Sequence, residues 1–123
     1  MRLSDYVINF IKEEYKVDTI FTVSGGGCIF LIDSLSKVDG LNYVCNHHEQ
    51  ACAIAGVCLV TSGPGGTNAL TGVLGAWLDS TPMLVISGQV NREMTTNYTK
   101  QPLRQLGDQE FNIVDTVKNL TKY

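Results

Sequence analysis

Four short apolar runs, each cut off by glycine or a polar residue, limit what this chain can fold into. Residues 19–23, 43–45, 57–60 and 83–86 are β-rich and apolar on successive positions, so neither face of such a strand is offered to water. Strands of this kind belong to parallel sheets covered by helices on both sides. The intervening segments supply helices. Leu3, Val7, Phe10, Ile11 and Tyr15 recur at helical spacing and predict an amphipathic helix over 4–16, with Ser4 as N-cap and Leu3 stapled onto Ile8. Ile29, Ile32 and Leu35 predict a second over 28–37, and Leu70, Val73, Leu74 and Trp77 a third over 68–78. A polar, irregular stretch over 91–108 precedes a last helix expected at about 109–118. The expectation is α/β: one three-layer α/β/α domain over residues 1–123 with a mostly parallel sheet and no internal repeat.

In sheets of this type the ligand crevice lies beyond the carboxyl ends of the strands. Those ends fall at Gly25, Asn46, Ser62 and Ser87 and should converge on one site. One connection is too short. A parallel crossover needs about a dozen residues, yet ten lie between Asn46 and Val57, and His47–Gln50 must still turn the chain. Residues 51–55 read as a helix that stops after about one turn, so a helical segment is expected to be missing near 55–56.

Charge excludes some partners. The net charge is −3 with lysines and arginines scattered singly, which gives no footprint for nucleic acid or an anionic membrane. MRLSDYVINF alternates polar and apolar residues and reads as neither a signal peptide nor a membrane span. Cys28, Cys45, Cys52 and Cys58 form no C-x-x-C pair and read as small buried hydrophobes of a reduced, cytoplasmic protein.

Among residues that could carry chemistry, Glu49 follows a short strand and precedes a small apolar helix start. Partial desolvation there would suit a carboxyl to proton sharing; a helix-start acid favoured by the dipole is the plainer alternative. Residues 61–68, Thr-Ser-Gly-Pro-Gly-Gly-Thr-Asn, form a glycine-rich strand-to-helix turn that either admits a ligand or is simply tight. The turn lacks the spacing and the lysine of a phosphate-binding P-loop. Cys45, His47, His48 and Cys52 match no familiar metal spacing, and no metal site is expected.

Asn46-His47-His48-Glu49-Gln50-Ala51, the 60–68 turn and Pro82-Met83-Leu84-Val85-Ile86-Ser87-Gly88-Gln89 together resemble the amino-terminal, pyrimidine-binding domain of thiamine diphosphate enzymes of the acetolactate synthase and pyruvate decarboxylase group. The resemblance implies that Glu49 hydrogen-bonds N1′ of the cofactor's aminopyrimidine and shares a proton with it. By the same resemblance, Pro64 and Asn68 line the pyrimidine pocket, and Gly25 and Gly26 form a turn that reaches a partner subunit's cofactor. His48 and Gln109 would lie on the substrate side, although the family's phenylalanine before that glutamine is Asp108 here. The implied activity is decarboxylation and carboligation of 2-oxo acids in a homodimer or homotetramer with shared sites. The family's Mg²⁺ and diphosphate bind a Gly-Asp-Gly motif on another domain, and that motif is absent here, as are the central and diphosphate-binding domains. A non-catalytic regulatory or dimerisation module of the same fold is the alternative.

Overall fold

The computed structural model of the chain describes residues 1–53 and 56–122. In chain order the main elements are α1 (Leu3–Tyr15), β1 (Thr19–Thr22), α2 (Ile29–Leu35), β2 (Asn42–Cys45), α3 (Glu49–Cys52), β3 (Gly56–Val60), α4 (Pro64–Leu78), β4 (Met83–Ser87), α5 (Thr96–Thr99) and α6 (Ile113–Val117). The four strands form one all-parallel sheet in the order β2-β1-β3-β4. It is flanked by helices on both faces, as the continuous apolar runs require.

The core divides along the two faces of the sheet. On one side α1 and α2 bring Ile8, Ile11 and Leu35 against Ile20, Val57 and Leu59. On the other, Cys52 and Ala53 meet Cys58, Val60, Ala69 and Val73. Ile8, Ile20 and Leu59 are wholly buried, each contributing about 1.5–3 kcal/mol of burial free energy. The central strand β3 is buried from Val57 to Val60 because it has a helical layer on each side. The buried Thr22 hydroxyl donates to the Leu59 carbonyl at 2.8 Å, so the inner strand leaves that polar group satisfied.

Several expectations fail for identifiable reasons. Helix α1 begins at Leu3, with Arg2 as its N-cap, so Ser4 lies within the first turn and does not cap it. Asp5 supplies the closure instead by accepting from the Arg2 backbone N–H at 3.1 Å. Leu3 is 79% exposed while Ile8 is fully buried, so the two do not staple. β2 is an edge strand exposed at every position and not a buried one; Cys45, at its end, is exposed too, whereas the other three cysteines are buried. Helix α4 starts four positions before the expected 68, because proline is well suited to the first helical position and Gly63 turns the chain into it. The last helix covers only Ile113–Val117: Gln109 adopts a left-handed φ of 59°, and Asn112 then caps the helix by accepting from Asp115 N at 3.2 Å. The stretch 91–108 is not wholly irregular, since it holds α5 and a 3₁₀ turn at Arg92–Met94. The missing segment expected near 55–56 falls in part on residues 54 and 55, outside the described residues.

Candidate functional site

The carboxyl ends of the strands meet at one rim. Asn46 N donates to Thr22 O at 2.8 Å and carries the β2 ladder one residue further. The chain then turns through His48, whose extended backbone and Nδ1, accepting from Gln50 N at 3.3 Å, cap α3. Glu49 opens that helix, where a carboxylate is favoured by the exposed backbone N–H groups. Its side chain does more than complement the dipole. Half-buried, it reaches across to α4, where Asn68 Nδ2 donates to Glu49 Oε2 at 3.2 Å. A helix of four residues cannot hold its own shape in water. Contact with α4 holds it, including a bond from Gln50 Nε2 to Thr71 Oγ1 at 3.3 Å.

The glycine-rich turn is tighter than its sequence suggests. Helix α4 takes in Pro64, Gly65 and Gly66, which confines the turn to residues 61–63. Gly63 has φ 52° and ψ −109°, and a β-carbon there would stand 2.4 Å from the Gln109 carbonyl oxygen, so only glycine fits. Thr61 is the hub. Its Oγ1 accepts from Gly27 N at 3.0 Å. A β-carbon at Gly25 would lie 2.5 Å from Thr61 Cβ, and one at Gly65 would lie 2.8 Å from Thr61 Cγ2. That position at Gly65 is also 3.8 Å from Glu49 Oε1, so the absent side chain keeps the approach to this oxygen clear.

Beside this rim runs a cleft of about 410 Å³ lined by Gly26, Gly27, Thr61, Ser62, Gln89 and Gln109, among others. Gly26 is exposed, and nothing lies within 4 Å of where its β-carbon would be. Next in the chain to the lining residue Gln109 stands Glu110, whose carboxylate accepts from Leu106 N at 2.8 Å and Thr96 N at 2.7 Å. Those backbone donors, Leu106 first, hold its pKa below the usual carboxylate range. A separate, largely apolar cavity of about 450 Å³ between α4, β4 and α6 is lined by Gly66 of the glycine-rich turn and by the β4 end Ser87, but by none of Gly25, Gly26, His48, Glu49, Pro64, Asn68 or Gln109.

The structure thus joins Glu49 directly to Asn68, and brings Gly26 and Gln109 together along the neighbouring cleft. Gly25 packs on Thr61 between them, and Pro64 is exposed at the first position of α4. His48 is exposed and engaged in capping. Thr61, Gly65 and Thr71 were not evident as site residues from the sequence. The only signal for the first two was their common place in the glycine-rich turn. Among the described residues, no three His, Cys, Asp or Glu side chains are grouped to hold a metal ion. No described helix is long and apolar enough to cross a membrane.

Comparison with known proteins gives a consistent picture. Residues 1–110 match the family described as thiamine pyrophosphate enzyme, N-terminal TPP binding domain. The acetolactate synthase large subunit of Haemophilus influenzae is 34% identical over 115 residues, covering 85% of this chain and 20% of that protein. That of Lactococcus lactis is 36% identical over 134 residues, covering 98% of this chain and 21% of the relative. The chloroplastic acetolactate synthase of Arabidopsis thaliana is 32% identical over 122 residues, 90% of this chain and 17% of its own. The chain spans about a fifth of the length of these relatives.

Proposed function

The chain belongs to the family of thiamine pyrophosphate enzymes through their N-terminal TPP binding domain, and on that premise we propose that it is the pyrimidine-activating unit of an acetolactate synthase-like enzyme acting on 2-oxo acids. The observation that carries this reading is the Glu49–Asn68 hydrogen bond. Asn68 fixes Oε2, and glycine at 65 leaves the side of Oε1 open, so the carboxyl can meet a ring nitrogen. That donor set fits an aminopyrimidine: Glu49 would hold a proton at N1′ and share it with the ring, acting as a general acid–base group. Bound there, thiamine diphosphate would supply the electron sink for decarboxylation and carboligation of a 2-oxo acid.

The chain's other residues take supporting parts. Pro64, which opens α4, would line the pyrimidine pocket, and Gly25 and Gly26 would let a partner's cofactor approach the rim. Open space above Gly26 supports this. His48 and Gln109 would face the substrate. Mg²⁺ and the diphosphate would be held by a further domain, so a complete site needs a second copy, in a homodimer or homotetramer. A cytoplasmic setting accords with four free thiols among the described residues.

The short β2–β3 crossover would lack a helical segment after α3. The Lactococcus alignment, which runs over 134 positions against the 123 residues of this chain, leaves at least 11 positions of that comparison with no counterpart somewhere along the chain, and a shortened crossover would account for them. This observation also favours the second reading, a non-catalytic module of the same fold that only associates. The test is NMR shift mapping of the chain with 4-amino-5-hydroxymethyl-2-methylpyrimidine at millimolar concentration. Perturbations centred on Glu49, Gly65 and Asn68 are expected. Their absence, in a chain that forms a uniform dimer, would favour the non-catalytic module.

A further inference from the structure

Glycine inside a helix costs about 1 kcal/mol relative to alanine, and α4 carries two beyond its first turn, Gly72 and Gly75. They differ in surroundings. Nothing lies within 4 Å of a β-carbon position at Gly75. At Gly72 a β-carbon would stand 2.7 Å from both Ala53 Cβ and Ala53 O, and 2.9 Å from Gln50 O. Two of these are backbone atoms of the α3 segment and cannot swing aside. Asn68, Thr71 and Gly72 are spaced i, i+3 and i+4, so they share one face of α4. Opposite them stand Glu49, Gln50 and Ala53, in the same order.

We propose that Gly72, together with Thr71, is a positioning residue for Glu49, setting the separation of α3 and α4 at which Asn68 meets the carboxylate. The inference rests on the reading of Glu49 as the proton-sharing group, but the seam itself exists without any ligand. Relieving the Gly72 contact from 2.7 Å to the 3.4 Å of ordinary packing moves α3 outward by about 0.7 Å. The Glu49–Asn68 bond already spans 3.2 Å, so that retreat takes it beyond hydrogen-bonding distance. With only four residues in α3, no internal rigidity restores the aim of Glu49.

The experiment compares Gly72→Ala, Gly75→Ala and Thr71→Val in the full chain. It reads the melting temperature, the nuclear Overhauser contact between the Asn68 side-chain amide and Glu49, and affinity for the same aminopyrimidine. Gly72→Ala is expected to lose the Asn68–Glu49 contact and to bind the pyrimidine roughly tenfold more weakly, the scale of one lost hydrogen bond. Gly75→Ala is expected to keep both and to melt higher, since alanine favours the helix. A Gly72→Ala chain that keeps the contact, or a Gly75→Ala chain that loses it equally, overturns the proposal. Should Gly72→Ala fail to fold, Thr71→Val decides: a weakened contact is expected, and an unchanged one contradicts the assignment. If the contact behaves as expected while no variant, nor the parent chain, binds the pyrimidine, the positioning role stands and the cofactor reading falls.

Discussion

Asn68 Nδ2 donates to Glu49 Oε2 across 3.2 Å, linking residues nineteen apart in the chain, one opening α3 and the other in the second turn of the neighbouring α4. β2 and β3 run parallel on either side of β1, and both deliver their chains to the same rim of the sheet. The proposed chemistry depends on that shared rim more than on either segment alone.

Thr61 is clasped between Gly25 and Gly65, and the two contacts should respond differently to mutation. Gly65→Ala places a β-carbon against Thr61 Cγ2 and should destabilise the chain by about 1–3 kcal/mol, the usual cost of overpacking. Thr61→Ser removes that methyl, so the double variant should recover most of the loss. Gly25→Ala meets Thr61 Cβ and Oγ1, which serine keeps, so the same rescue should fail there. Chemical denaturation of the three single and two double variants checks this.

Much of the fold could be read from the residues, and the failures share a cause. Val57–Val60 lie in an inner strand with β1 and β4 beside it and a helical layer on each face, so apolarity marks them correctly, whereas Met83–Ile86 form the other edge of the sheet and are half-buried throughout. Tyr43 and Val44 are equally apolar, yet they sit on an edge with little above them, and composition cannot separate those cases. Pro64-Gly65-Gly66 has the look of a turn, and only its backbone makes it the first turn of α4. Glu49 was legible as a candidate because motif and position coincided. Its dependence on Thr71 and Gly72 was not, because close approach between segments leaves no local periodicity.

Glu110 ties the loop before α6 to the start of α5, and this anchoring should depend on pH. Its folded-state pKa is lowered, so its contribution to stability is present above the ordinary carboxylate value of about 4.3 and fades as pH falls through the lower folded value. Glu110→Gln should therefore melt below the parent chain near about pH 7, and the difference should shrink steadily as pH falls below the ordinary carboxylate value. A constant difference across that range would contradict the assignment.

The thiols should divide one against three. Burial pushes the Cys58 thiol up to about 12 and raises those of Cys28 and Cys52, while Cys45 is exposed. With a thiol-reactive disulfide reagent near about pH 8, where an exposed thiol is partly ionised, one group per chain should react promptly. The remaining three should wait for denaturant. Two prompt thiols would mean that one of the buried sites, at Cys28, Cys52 or Cys58, opens readily.

The most direct test of the proposed role of Glu49 is calorimetric titration of the chain and its Glu49→Gln variant with the aminopyrimidine. Glutamine keeps the shape of the side chain but cannot share a proton with the ring nitrogen. Loss of one charge-assisted bond predicts binding weaker by about tenfold to a hundredfold, with the fold intact by circular dichroism. Equal affinity in the two proteins would contradict the assignment of Glu49 as the group that holds the pyrimidine.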